Sequence, residues 1–436
     1  MRATVIVDLG YGDSGKGTIV DYLVRERAAE MVVRYGGGAQ CGHNVVLPDG
    51  THHEFHQFGA GTFAGAGTHL SRFVCVNPQM LFIEDHGLQQ VGVPDALQRL
   101  SLDPLAPLTT PFHVAANRIR ETARRHASSI HGSVGLGIGE TRRYEIAGMD
   151  VPRVQDCLSA DALRYKLDDL RVAICSDVGH LVPSLPGAAA NDLWHRLTAG
   201  ADIDELVEIY TTLPNVCEIA PLNLMAYNEV IFEGHQGVLL DEFRGFYPYN
   251  TWTDCTADNA FRLLERLPCE SEVLGVTRAY STRHGAGPFV TESDQVNFDE
   301  PHNVHGPWQG QWRQGWTDLV TLRYAMLCLG QWRMDSVAVT HLDRIADLRS
   351  WHVAHDYYGV NMTEMMPPTV QDEERIWAER QKILSSTLLK ARPKTRKLVG
   401  RLDDQVCEQI EEAVMAPVSI RSYGPTYEQK FMEVPA

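Results

Sequence analysis

VDLGYGDSGKGTIVDYL, residues 7–23, joins an apolar run to an amphipathic one across a loop holding four glycines. The run Ala3–Leu9 is short, apolar and β-branched, which reads as a strand, while Thr18–Ala28 sets Ile19, Leu23 and Val24 on one helical side. A strand that ends in glycines and opens a helix points backbone N–H groups at an anion. Gly12, Ser14, Gly15 and Gly17 are therefore candidate phosphate binders, and Lys16 adds a point charge for a phosphate. Two details are unusual: Lys16 is followed by Gly17 rather than Ser or Thr, and Asp13 stands inside the cradle. A carboxylate beside phosphates is repulsive unless a metal bridges them or the carboxylate moves a proton. A tight turn that binds nothing would use the same glycines.

Working outward, strand signals recur at Met31–Arg34, Phe73–Val76, Val230–Phe232, Val273–Val276, Val337–Thr340 and Val418–Ile420, with helical stretches between several of them. The pattern predicts an α/β fold with a mostly parallel central sheet flanked by helices and smaller appended lobes. PDG at 48–50 should turn a hairpin between Asn44–Leu47 and Thr51–Phe58. We expect one domain over residues 1–436, with a lobe boundary or loop near 182–216, which begins VPSLPGAAA. The 44% hydrophobic content supplies a sizeable core, and the net charge of −17 argues against a nucleic-acid partner. Nine cysteines without a CxxC pair fit a reduced compartment. No apolar run reaches membrane-span length and Met1-Arg2 leads straight into a strand, so the expectation is a cytoplasmic protein with no membrane partner.

A second glycine-rich stretch, RYGGGAQCGHNVV (34–46), allows close backbone approach to a ligand. Together with GDSGKGTIVDYL it resembles the N-terminal signature of adenylosuccinate synthetases. FEGHQGVLLD (232–241), YPYNTWT (247–253), AYSTRHGAGPFVTE (279–292), GWTDLV (315–320), THLD (340–343) and YGPTYE (423–428) follow in that family's order. The resemblance implies a P-loop-like GTP site, Mg²⁺ and a homodimer. It also implies a ligase that phosphorylates a purine carbonyl oxygen and then displaces the phosphate with an amine. Carried over residue by residue, Asp13 falls on the catalytic base and metal ligand, and His43 on the acid supporting γ-phosphate transfer. The Gly42 carbonyl falls on the metal. Lys16 and its glycines match the phosphate loop, Asp343 the residue that reads guanine, and Gly424-Pro425 the loop over the base. The family's usual Lys is His341 here.

On the substrate side the sequence departs from that pattern. GSVGLGIG (132–139) keeps Ser133 but has Val134 in place of Thr and Leu136 in place of Arg. Arg142, Arg143 and Arg153 are approximate counterparts of an expected partner-subunit Arg. Gln40 replaces an Asn, Gln236 and Thr251 match substrate contacts, and Trp252 replaces a small residue. In HGPWQGQWRQGWTD (305–318), Trp308, Gly310 and Trp312 occupy positions where the family's aspartate-gripping loop has Thr and Arg, leaving Arg313 as the remaining cation. A dicarboxylate needs cationic partners to replace its hydration. Arg313 would hold one carboxylate, and the tryptophans would supply apolar surface.

Other clusters read blandly. THHEFH sets His52 and His56 on one strand face and His53 on the other, a poor metal triad. His235 and His284 read as supports, Cys41 as packing, and QDEERIWAER (371–380) as a solvated helix face. Three functional readings follow. The first is a GTP- and Mg²⁺-dependent carbon–nitrogen ligase acting on a modified pair of purine-like acceptor and amine or amino acid. The second is an ordinary adenylosuccinate synthetase joining IMP and L-aspartate. The third is a non-catalytic GTP-binding paralogue.

Overall fold

In the computed structural model the described residues are 1–433 except 127–131, 186, 200–201, 266, 302, 304–307, 309, 331, 362–364 and 369–373. The first strand, Arg2–Asp8, is buried along all but its first residue, as a strand covered on both faces must be. Its side chains alternate between two cores. Ile6 packs with Ile19, Leu23 and Val32, whereas Ala3, Val5 and Val7 pack with Phe232, Val337 and Val339. Around it runs a ten-stranded sheet. In spatial order its strands are Lys430–Met432, Val418–Ser422, Ser336–Thr340, Glu270–Arg278, Arg2–Asp8, Glu229–Gly237, Met31–Arg34, Gly67–Leu70, Leu100–Leu102 and Glu218–Ile219. Every pairing is parallel except that of the Lys430–Met432 edge.

This register brings Asp8, Arg34, Glu233 to Gly237, Arg278 and Thr340 to one end of the sheet. They lie at or near the carboxyl ends of neighbouring parallel strands, where ligands bind in open α/β sheets. The hairpin expected at PDG forms, as His43–Val46 paired with His52–Phe55. Of the expected strands, Phe73–Val76 is not one. Its place in the sheet is taken by Gly67–Leu70, and Cys75 and Val76 make only isolated bridges to Gly38 and Leu108. GTHL is fully buried between two strands, a position its mixed composition does not advertise.

The segment near 182–216 is not a loop. It carries helices Gly187–Thr198 and Ile203–Tyr210, packed against the longer helices Pro111–His126 and Ala160–Val178, and the one-turn helix Leu213–Val216, packed against the 3₁₀ turn Val154–Leu158. Leu193 with Leu197, and Ile203 with Leu206, Val207 and Tyr210, form the buried stripes at helical spacing. Among the described residues no helix is long and apolar enough to cross a membrane. The QDEERIWAER stretch opens a helix at Glu374, while residues 371–373 lie outside the described residues.

Candidate functional site

The glycine loop owes its shape to a residue the sequence reading passed over. Asp8, fully buried, accepts from the Gly10 N–H (2.8 Å), the Ser14 N–H (3.2 Å) and Lys16 Nζ (2.8 Å). Thr340 Oγ1 donates to the Ser14 carbonyl (2.7 Å) and Arg278 Nε to the Asp13 carbonyl (2.6 Å). Folding the chain this tightly puts Gly12 at φ 92°, Gly15 at 84° and Asp13 at 56°, the left-handed region that favours glycine. At Asp13 a side chain tolerates the strained conformation and delivers its carboxylate, one-third exposed, to a cavity of about 400 Å³. Gly237 crosses beneath the loop, and a Cβ there would stand 2.1 Å from the Gly10 carbonyl oxygen.

Gly12, Asp13, Gly15, Lys16 and Gly17 all line this cavity. Ser14 does not: it is buried and lines a smaller adjoining cavity with Asp318. Gly42 and His43 line the main cavity as well. His43 Nδ1 contacts the Glu233 carboxylate, and Nε2 lies 3.0 Å from the His235 carbonyl oxygen. Burial, reinforced by Arg34, pushes the His43 pKa below its ordinary value against the pull of Glu233. Burial opposes ionisation of Glu233 too, but Arg34 and His43 hold its carboxyl below the usual range. Gly36 and Gly37 are explained by His235, since a Cβ at either would sit 2.7 Å from its side chain, and Gly38 by the Cys75 carbonyl oxygen, 2.6 Å from a Cβ there.

At one end the cavity is walled by Thr340, His341, Asp343, Arg344, Ser422, Gly424 and Pro425. Asp343 opens a one-turn helix and burial raises its pKa, with Arg344 lying 3.4 Å away. His341 is itself at φ 58° and bonds Thr340 Oγ1 at 2.9 Å. The expected base-reading residues are therefore brought together with the glycine loop.

The opposite end gathers Gln40, Gln236, Ser133, Thr251, Val134, Leu136 and Trp252. Both polar atoms of the Gln40 amide and Oε1 of Gln236 are buried without a hydrogen-bond partner, as is Nδ1 of His235. Buried polar groups are nearly always satisfied, so these point to a polar ligand. Ser133 Oγ instead serves its own loop, donating to Asn117 Oδ1 (2.9 Å) and accepting from the Gly135 N–H (3.1 Å). Of the three arginines weighed for this region only Arg143 lines the cavity, over the Trp252 ring (4.8 Å) and 3.2 Å from Glu140. Arg142 and Arg153 both pair with Glu145.

Arg313 does not reach the cavity. It sits in Trp312–Gly315, paired antiparallel with Ser281–His284. Its guanidinium is taken up by Glu292 (2.9 and 2.5 Å) and by the Gly285 and Gly287 carbonyls (3.0 Å each). Trp308 lies against Gly135 with Arg125 4.8 Å over its ring, and Trp312 packs on His284 (4.5 Å). Neither tryptophan lines the cavity. Residues 304–307 and 309 of that loop lie outside the described residues.

Sequence reading missed Arg278, Arg283, Arg124, Glu121, Glu140, Glu300 and Arg344, all of which line the cavity. Their signal was spatial. Arg278 pairs with Glu300 (2.5 Å), Arg124 with Glu121 and Arg344 with Asp343, while Arg283 donates to the Ala286, Pro288 and Tyr249 carbonyls. His284, expected to be a support, lines the cavity with Nε2 3.6 Å from Asp13 Oδ2.

Among the described residues no cluster of three or more His, Cys, Asp or Glu could hold a metal, and the THHEFH histidines are engaged elsewhere. Mg²⁺ asks for less, because it takes one or two carboxylates and completes its shell with substrate phosphates and water. The Asp13 carboxylate, standing in the phosphate cradle with the Gly42 backbone on the same cavity, fits that requirement.

Comparison with known proteins agrees in breadth. The family model for adenylosuccinate synthetase matches residues 5–431. The adenylosuccinate synthetase of Alkalilimnicola ehrlichii is 31% identical over 97% of this chain and 96% of its own length. That of Mycobacterium tuberculosis is 30% identical over 98% and 97%. The solved, fully ligated adenylosuccinate synthetase of Plasmodium falciparum superposes over both whole chains with a TM-score of 0.73 at 19% identity, a likeness of fold. So does the cyanophage S-2L succinoaminodeoxyadenylate synthetase, bound to dGMP and dATP as an energy donor, with a TM-score of 0.57 at 16% identity over 99% and 95%.

Proposed function

The chain belongs to the adenylosuccinate synthetase family, and on that premise we propose that its substrates are a purine-like acceptor of low charge and an amine other than aspartate. It is a GTP-dependent ligase acting on small molecules, of a family that uses GTP and Mg²⁺. What carries the narrower reading is the pairing of the cavity's cations. Arg124, Arg143, Arg278 and Arg344 each stand beside a carboxylate, and Arg283 is spent on backbone carbonyls. Freeing one to grip a 5′-phosphate or a dicarboxylate leaves its partner carboxylate uncompensated, a cost that is largest for the buried Arg278–Glu300 pair and reduced by solvent at the partly exposed others. The loop 132–137 offers Val134 and Leu136 to the cavity and turns its Gly135 N–H onto Ser133.

The chemistry asks different things of each residue. Asp13 takes the ring N–H proton of the acceptor, so that its carbonyl oxygen gains the negative charge needed to attack the γ-phosphorus. Lys16 and the N–H groups at the head of helix Lys16–Arg27 hold the phosphates. His43, oriented by Glu233 at Nδ1, donates from Nε2 to the transferring group as an imidazolium, whose second proton Glu233 and the charge gathering on that group favour, in exchange for its contact with the His235 carbonyl. Asp13 and the Gly42 carbonyl would hold Mg²⁺, which neutralises charge on the phosphates. Asp343 accepts from the guanine N1–H and amino group, with Gly424-Pro425 closing over the base. Gln40, Gln236 and Thr251 supply neutral donors and acceptors to the acceptor. Phosphorylation turns the acceptor's poor leaving group into a good one, which the amine displaces. The homodimer expected from the resemblance belongs to this proposal, and sedimentation tests it.

A second reading, the ordinary synthetase, is favoured by the relatives that carry that name at about the same identity over nearly whole chains. The cyanophage neighbour, bound to dGMP, supports the idea that the fold accepts other purines. Phosphate release with Mg-GTP separates the two readings, screening purine nucleosides and their 5′-monophosphates against a panel of amines. The proposal expects release that requires both partners and favours nucleoside over monophosphate. Best turnover with IMP and aspartate would establish the second reading.

A further inference from the structure

Gly424 and Pro425 wall the base end of the cavity, but the loop that carries them is shaped from behind. Lys430 is 5% exposed, and its Nζ donates to the Gly424 and Thr426 carbonyls, each at 2.7 Å. Those carbonyls bracket Pro425, whose own carbonyl accepts from Thr18 Oγ1 (2.7 Å) on the helix that follows the glycine loop. Gln429 Oε1 holds the far side, accepting from Thr426 N and Oγ1 at 3.1 Å. Facing the ammonium are Asp21 from that helix and Asp343 from the cavity floor, with His341 on the turn before it. Burying an ammonium on two carbonyls is unfavourable, and an apolar side chain would fill the space without that penalty. What Lys430 adds is two directed donors and a positive charge behind the base wall.

We propose that Lys430 is a positioning residue for the nucleotide base, fixing the Gly424–Pro425 wall opposite Asp343 and so setting guanine-nucleotide affinity without touching the nucleotide. The inference rests on the GTP reading above. Burial lowers the Lys430 pKa to about 7, against the pull of Asp21 and Asp343. The charge is therefore mostly present at pH 6 and mostly lost by pH 8.5. Affinity for GDP should fall over that range in the wild-type chain.

Calorimetry of GDP and ADP with Mg²⁺ decides it, on the full chain and its Lys430→Met and Lys430→Arg variants at both pH values. Lys430→Met should weaken GDP binding roughly tenfold or more at pH 6, as expected for losing charge-assisted hydrogen bonds. Its kcat at saturating GTP should stay near wild type. Lys430→Arg, which stays charged, should retain affinity and lose the pH dependence, and it remains informative if the Met variant does not fold. Wild-type GDP affinity in Lys430→Met, or an unchanged pH dependence in Lys430→Arg, overturns the inference. A wild-type chain that binds neither nucleotide overturns the GTP reading itself, a distinct result.

Discussion

The two ends of the cavity are built on opposite terms. At the nucleotide end, functional groups are held by backbone: glycines at positive φ, carbonyls bonded to Thr18, Thr340 and Arg278, and a carboxylate standing clear in a strained turn. At the acceptor end, side chains hold one another, Arg124 against Glu121 and Arg143 against Glu140, while the Gln40 amide and Oε1 of Gln236 are unpaired. The first arrangement offers backbone N–H groups to an anion, with Lys16 sharing its charge between that anion and Asp8 (2.8 Å). The second has already neutralised its charges internally. One site thus combines a phosphate cradle with a pocket suited to a neutral ligand.

The largest expected effect lies where the two ends meet. Asp13→Ala should lower the rate roughly 10²–10⁴-fold or more, since the base and a metal contact go together. His43→Ala should slow phosphoryl transfer while leaving GDP affinity nearly intact, measured by stopped-flow and calorimetry. Unchanged phosphate release in both would remove the chemical contrast between the ends.

A smaller change should convert one end toward the other. Glu140→Gln releases Arg143 from its nearest carboxylate, so a 5′-monophosphate acceptor should gain roughly tenfold in kcat/KM relative to its nucleoside. No gain would mean that charge pairing is not what excludes a phosphate.

Acid should weaken the fold at both ends, since burial lowers the pKa of His43 and His341 as well as of histidines nearer the acceptor loop. Burial pushes His113 down to about 3 and His69 to about 4, and a Cβ at Gly137 would stand 2.8 Å from the His113 backbone, beneath the acceptor loop. The unfolded rings take up protons near pH 6.5 while the folded ones resist, so stability is full above 6.5 and falls below it. The decline should approach roughly 1.4 kcal/mol per pH unit per ring, levelling below the folded pKa values. Denaturation in urea at pH 7, 6, 5 and 4 should follow that slope, and His69→Gln should flatten part of it. Burial lowers the Lys430 pKa as well, to about 7, so its contribution to stability also rises with pH, above 7, while the GDP affinity that depends on its charge falls.

The smallest effect is expected at Arg313. Its ion pair with Glu292 is partly exposed, and such pairs contribute about 0.2–1 kcal/mol. Arg313→Ala should leave KM for the amine within roughly threefold of wild type. A large rise in that KM would return Arg313 to the site.

What the sequence disclosed follows the same division. Strand, glycine loop and helix are neighbours in the chain, so residues 7–23 announced the nucleotide end, and Asp13, Lys16, His43, Asp343, Gly424 and Pro425 all line the cavity. Asp8 escaped notice because a polar residue closing an apolar strand looks like its end rather than the pin of the following loop. At the acceptor end the partners are distant in sequence, Arg143 with Trp252 and Asn117 with Ser133, and only folding joins them. Arg313 follows Trp312 directly in the chain, but successive residues of a strand point to opposite faces. Trp312 stacks on His284 and Arg313 turns to Glu292. GTHL was passed over for a more apolar neighbour, because burial between two strands is decided by the sheet and not by local composition.

The contrast between the ends is most directly tested by steady-state turnover of IMP and L-aspartate with Mg-GTP. The paired cations of the acceptor end predict kcat/KM for IMP below about 10³ M⁻¹s⁻¹, with GTP bound normally. A value of roughly 10⁴ M⁻¹s⁻¹ or above, within the ordinary range for enzymes, would contradict it.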